Sequence, residues 1–180
     1  MCGSSVYNDT TFYGNDTLYW NGYSDLSKIS NTAGTGYNDY QKTGTYAFMS
    51  VSSRYPNANL YPSAGGFKFN QVNQGGLGTC YMISSFAAMA EWSNRIQNIF
   101  ISGSQKTNNK IYGARFFIRG KPWVVAVDDN LLFQMSPSDG NHTLVFAGMS
   151  DDLSSFWAPI LEKAWIKVTG NSLMSEGGDN

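Results

Sequence analysis

Cysteine and histidine are nearly absent from this chain: its 180 residues hold two cysteines, Cys2 and Cys80, and one histidine, His142. Two thiols make no disulfide framework and suit a reducing, cytoplasmic compartment. Charge is scarce as well. Charged residues make up 14% of the chain, with 12 basic and 13 acidic side chains and a net charge of −1, where a typical domain carries about 25%. No basic patch of the size that nucleic-acid binding demands can be assembled from so few cations. No apolar run approaches the roughly 18 residues of a membrane span. No charged-then-apolar leader opens the chain, so no secretory signal is expected.

Polarity comes instead from Asn, Ser, Thr, Gly and Tyr, and aromatic residues reach 15%. The length suits one domain with a sizeable core. Residues 1–59 are polar and aromatic-rich, with turn-forming stretches at Tyr13–Asp16 and Gly34–Asp39 between sparse anchors such as Phe12, Leu18 and Trp20. Such a segment reads either as a coil pinned to the domain by its aromatics or as partly disordered, with the aromatic content arguing against full disorder. The lobe itself is expected over residues 60–180. A helix is expected over 80–100, with a break near Ser93. Ile111–Ile118 reads as a strand, and Arg119–Pro122 as a turn. Trp123–Val127 is an apolar run short enough for a strand buried on both faces, and Leu144–Ala147 is a further short strand. A second helix over 154–168 carries one broad apolar stripe through Phe156, Trp157, Ile160, Leu161, Ala164, Trp165 and Val168. Pro159 must lie in its first turn, and Gly170 stops it.

The stretch with chemical promise is Gln74-Gly-Gly-Leu-Gly-Thr-Cys80-Tyr81, followed by an apolar, alanine-containing run. Ile83, Phe86, Ala87 and Ala90 share one helical face. Cys80 therefore falls in the first turn of a helix, where backbone N–H groups and the helix dipole favour negative charge and hence a thiolate. Gln74 can reach back to donate to an oxyanion beside the sulfur. The bland alternative is a small buried thiol, the commoner fate of a lone cysteine. Asp128 and Asp129, at the end of a strand, read as capping and turn residues rather than a metal site.

Three blocks in order resemble the calpain family, papain-like cysteine proteases dependent on calcium. Gln74–Tyr81 is similar to the family's Gln-Gly-x-x-Gly-Asp-Cys-Trp. Trp123–Asp129 resembles the strand ending in Val-Asp-Asp, and Phe156–Trp165 the helix Phe-Trp-x-x-Leu-Leu-Glu-Lys-Ala-Tyr. The resemblance implies an α+β papain-like half-domain, helices packed with a few short antiparallel strands. It implies endopeptidase cleavage of protein substrates through an acyl-enzyme on Cys80, with Gln74 and the Cys80 N–H holding the oxyanion. It also implies a second catalytic lobe bringing histidine and asparagine, since papain-type spacing of about 130–150 residues from the cysteine passes Asn180. His142 is expected in an exposed polar loop, not at the reacting centre. A calcium ion is implied by the carbonyls of Ala64 and Gly66 and by Glu162, but the family's aspartate is Gln71 here, one anion short. Thr79 and Tyr81 are further departures, replacing aspartate and tryptophan. The rival reading is a calpain-like lobe kept as a non-catalytic binding or regulatory module.

Overall fold

The computed structural model describes residues 6–12, 46–63, 66–103, 106–136, 141–170 and 175. Ala64, Cys2 and the aromatic anchors between 13 and 45 lie outside the described residues. Three strands form one antiparallel sheet in the order β1 (Tyr46–Ser50), β4 (Asn130–Met135), β5 (His142–Leu144), with Phe48 opposite Leu132 and Phe133 opposite Leu144. A second antiparallel pair joins β2 (Ile111–Ile118) to β3 (Lys121–Asp128). Its connection is a tight turn at Arg119 and Gly120 with φ of 51° and 75°. Positive φ at both central residues gives the twist that two-residue hairpins need. The helices are α1 (Val51–Arg54), α2 (Cys80–Ala90), α3 (Ser93–Ile99) and α4 (Trp157–Thr169), with a 3₁₀ turn at Phe69–Gln71. This is the α+β arrangement that the sequence implies.

The expected helix over 80–100 is two helices, interrupted at Glu91–Trp92. In α4, Pro159 is the third helical residue, where no intrahelical N–H is required of it, and Gly170 closes the helix with φ of 112°. The run Trp123–Val127 is not buried on both faces. Trp123 and Val124 are 56% and 60% exposed, and Phe117, opposite Pro122 on the same hairpin, is 69% exposed, because the hairpin tip projects beyond the body. Burial is complete only at Val127 and Asp128, where α4 packs on β3. The strand expected at Leu144–Ala147 is shifted to His142–Leu144, and the next three residues bend instead.

Trp157, Ile160, Leu161 and Ala164 of α4 share one buried core with Ile83 and Phe86 of α2, Leu131 and Phe133 of β4, and Ile96 of α3. Phe67 meets Trp157 edge-on at 5.2 Å, and Tyr112 meets Phe156 at 5.7 Å. Each fully buried large side chain contributes about 1.5–3 kcal/mol, so α4 is the pillar on which the lobe stands.

Beside this core runs a file of charges. Lys163 Nζ contacts Asp128 Oδ1 at 2.5 Å with both side chains sealed from solvent, and it also donates to the Asn130 carbonyl at 2.7 Å. Burial alone would raise Asp128, but the Lys163 ammonium and the N–H groups of Asp9 and Asn130 more than offset it and hold the carboxyl below its ordinary range. Breaking such a pair by deleting one partner costs about 3–5 kcal/mol, because the other charge is left buried alone. Asp9 anchors residues 6–12 to the same file through Lys167 at 2.5 Å, with Phe12 buried beneath. Asp129 accepts from Ser50 Oγ at 2.8 Å and Ser52 N at 3.0 Å, so it caps the start of α1 as expected of a carboxylate ending a strand.

Candidate active site

The loop before α2 is shaped by one close approach. Gly75 lies against the backbone of 145–146. A Cβ placed on it would stand 2.1 Å from the carbonyl oxygens of both Val145 and Phe146. Gly76 N–H donates to the Val145 carbonyl at 2.7 Å, and Gly148 N–H donates to the Asn73 carbonyl at 2.8 Å. Those bonds lash residues 73–76 alongside 145–148, a contact that only a residue without a side chain permits. Leu77 then turns inward and is buried.

The loop delivers Cys80 as the first residue of α2, with a free thiol exposed to solvent. The sulfur is not a small buried hydrophobe. It sits where a helix leaves its first N–H groups without intrahelical partners. Gln74 is exposed, and its side chain folds back over the same loop, with Nε2 donating to the Leu77 carbonyl at 2.7 Å. The amide carries two N–H groups, and this bond fixes the direction of one. Gln74 also borders a cleft of about 390 Å³ lined by Tyr55, Gly75, His142, Leu144 and Met149. His142 is therefore not in an open loop: it lies on β5, half-buried, with Nδ1 buried and without a hydrogen-bond partner among the described residues. Cys80 is not among that cleft's lining residues. The structure brings His142 to Gln74 rather than to the sulfur.

Thr79 is the N-cap of α2, yet its hydroxyl does not cap the helix; it donates to Glu162 Oε1 on α4. Glu162 Oε2 accepts from the Ala147 N–H at 2.5 Å. The carboxyl is 1% exposed, and burial raises its pKa to about 7 against the pull of these two donors. One residue further along α2, the Tyr81 hydroxyl accepts from Trp165 Nε1 at 2.9 Å. Sequence reasoning placed Glu162 near a metal and gave Thr79 no partner. The only signal is a carboxylate inside the apolar stripe of α4, which demands a buried partner, either a donor or a cation.

Among the described residues, the oxygens proposed for calcium are engaged by hydrogen-bond donors of the protein. Ala64 is outside the described residues. The Gly66 carbonyl accepts from Gln71 Nε2 at 3.4 Å, and Gln71 Oε1 accepts from the Lys68 N–H at 3.0 Å. Glu162 has both oxygens engaged inside the core. No cluster of three or more His, Cys, Asp or Glu side chains able to hold a metal occurs among the described residues. As these groups stand, they do not fit a cation that wants six to eight oxygens.

A free thiol opening a helix behind a glycine loop, in an α+β lobe of this build, is consistent with a half-domain of a papain-like cysteine protease. The chain belongs to the calpain family: the family model described as calpain family cysteine protease matches residues 39–180. Relatives include a calpain of Schistosoma mansoni, 32% identical over 126 residues, which cover 68% of this chain and 16% of that protein. The calpain-type cysteine protease DEK1 of Zea mays is 34% identical over 115 residues, 64% of this chain and 5% of that protein. Calpain-8 of Mus musculus is 30% identical over 117 residues, 63% of this chain and 16% of its own length. The chain thus spans a small part of each relative it matches.

Proposed function

We propose that Cys80 is the nucleophile of an endopeptidase acting on protein substrates, completed by a second lobe that supplies histidine and asparagine. The observation that carries this reading is the exposed thiol on the first residue of α2, with the Gln74 amide folded over the loop that leads to it. In this scheme the Cys80 thiolate adds to the scissile carbonyl carbon, and the carbonyl oxygen becomes an oxyanion. In this reading the Cys80 N–H and the second N–H of Gln74 Nε2 receive that charge, a contribution of the kind worth about 3–4 kcal/mol per donor. The C–N bond then breaks, and the amine leaves with a proton from the second lobe's histidine. Water hydrolyses the resulting thioester, returning the thiol and releasing the acid. The lobe alone holds the sulfur and the oxyanion donors, so turnover belongs to the longer protein.

The test is incubation of the full-length protein with an unfolded substrate such as denatured casein, read by the appearance of new peptide N-termini. Cleavage that is blocked by iodoacetamide is the expected result. Intact casein, with Cys80 free and the protein folded, would contradict the proposal.

A further inference from the structure

We propose that Glu162 is a positioning residue and not a metal ligand: bonded to Thr79 and to the Ala147 backbone, it fastens the nucleophile's helix and loop to α4 without a cation. The carboxyl sits at the meeting point of three pieces. Oε1 takes the Thr79 hydroxyl, one residue before Cys80. Oε2 takes the N–H of Ala147, in the segment that holds Gly75 and Gly76 in place. The side chain itself rises from the buried face of α4. Both oxygens are thus turned to protein donors inside the core, and neither is offered to solvent.

The positions where this chain departs from the family pattern are those that make the fastening. An aspartate at 79 would set a second carboxylate against Glu162, and two carboxylates in contact need a proton or a cation between them. Thr79 brings a hydroxyl proton instead. At the other end of the implied metal set, Gln71 stands in place of an acid. Its amide donates to the Gly66 carbonyl, so a hydrogen-bond donor occupies the side from which a cation would approach. Tyr81 and Trp165 exchange the aromatic types of the family pattern and meet each other through the 2.9 Å hydrogen bond, a second tie between the first turn of α2 and α4. At Thr79 and Gln71, hydrogen bonds thus stand where the family pattern has carboxylates.

The experiment uses the full-length protein and reads the alkylation rate of Cys80 by an iodoacetamide probe, located by mass spectrometry, together with the melting temperature, in chelator and across micromolar to millimolar calcium. In Glu162→Gln, the amide oxygen still accepts from Ala147 N–H and the NH₂ donates to Thr79 Oγ1, so the fastening survives while a carboxylate ligand would not. The expected result is that E162Q keeps the Cys80 rate within about twofold, and leaves unchanged whatever calcium response other parts of the protein produce. Glu162→Ala lowers the rate by about tenfold, since it leaves two donors buried without acceptors, and saturating calcium does not restore it. Thr79→Val, which keeps the volume and loses only the hydroxyl, lowers the rate in the same direction and stands in for E162A should that variant not fold. A calcium response that E162Q abolishes, or moves by about tenfold or more in calcium concentration, overturns the proposal; so does a folded E162A or Thr79→Val that alkylates like wild type. The inference rests on the peptidase reading for its relevance, but alkylation and melting do not depend on cleavage. Loss of the casein reaction with these results intact would sink the peptidase alone.

Discussion

Cys80→Ala removes all thiol-dependent cleavage by the full-length protein, a fall of about 10⁴-fold or more, and leaves its melting temperature within about 2 °C of wild type. The two halves of that expectation come from the same observation. The side chain is exposed, so deleting its sulfur opens no cavity and strands no polar group. Alanine in the first turn of a helix is a favourable residue. Surface substitutions of this kind stay within about 0.5 kcal/mol. In the proposed reaction the sulfur is nevertheless the atom that bonds to the carbonyl carbon, and alanine has nothing to replace it. Cleavage kinetics with a fluorogenic peptide and a thermal melt check both halves. A variant that melts early would mean the sulfur is packed, and a variant that still cleaves would move the nucleophile elsewhere.

Gly75→Ala damages both stability and activity. The added methyl would overlap two backbone carbonyl oxygens at 2.1 Å, and backbone cannot swing aside as a long side chain can. The loop must lift away from 145–148, losing the Gly76–Val145 and Gly148–Asn73 bonds. Two backbone hydrogen bonds at about 1 kcal/mol each, with overpacking of about 1–3 kcal/mol, give a loss of roughly 3–5 kcal/mol. For a domain of this size that lowers the melting temperature by roughly 10 °C. Gln74 moves with the loop, so under the proposed mechanism the folded fraction loses one oxyanion donor and about 10²–10³ in kcat. Chemical denaturation at low temperature, followed by kinetics under conditions where the variant is folded, separates the two losses. A wild-type melting point would show that this contact is not tight.

Gly113→Ala is the useful contrast, because its Cβ would meet the side chain of Ile101 rather than backbone. That neighbour can rotate, and none of the atoms the methyl would meet belongs to the α2 loop.

The parts legible in the sequence are those in which a short-range pattern decides the structure. The stripe of α4 is legible because seven apolar residues recur at helical spacing. The first turn of α2 is legible because a glycine loop gives way to an alanine-containing run at Cys80. Other features depend on partners far along the chain. Glu162 finds Thr79 across 83 residues, and Lys163 finds Asp128 across 35. Nothing near Glu162 in the sequence distinguishes a carboxylate awaiting a cation from one awaiting a hydroxyl. β1 and α1 escape notice because Tyr46–Arg54 has no clear period of two or 3.6. Their order comes from pairing with β4 and from Asp129, which accepts from Ser50 and Ser52. Trp123 and Val124 mislead because an apolar run suggests burial, yet a hairpin tip can carry apolar side chains into solvent. His142 misleads in the other direction: polar neighbours suggest a loop, while backbone pairing of Met135 with His142 makes it a strand.

The most direct measurement is reaction of the full-length protein with a peptidyl epoxide, an electrophile that binds as a substrate does and then alkylates the attacking thiol. The account predicts a single adduct on Cys80, formed much faster than alkylation of Cys2 and slowed when Gln74 is replaced by alanine. Adducts spread over Cys80 and other thiols at the slow rate of an unassisted cysteine, with no response to the change at Gln74, would contradict it.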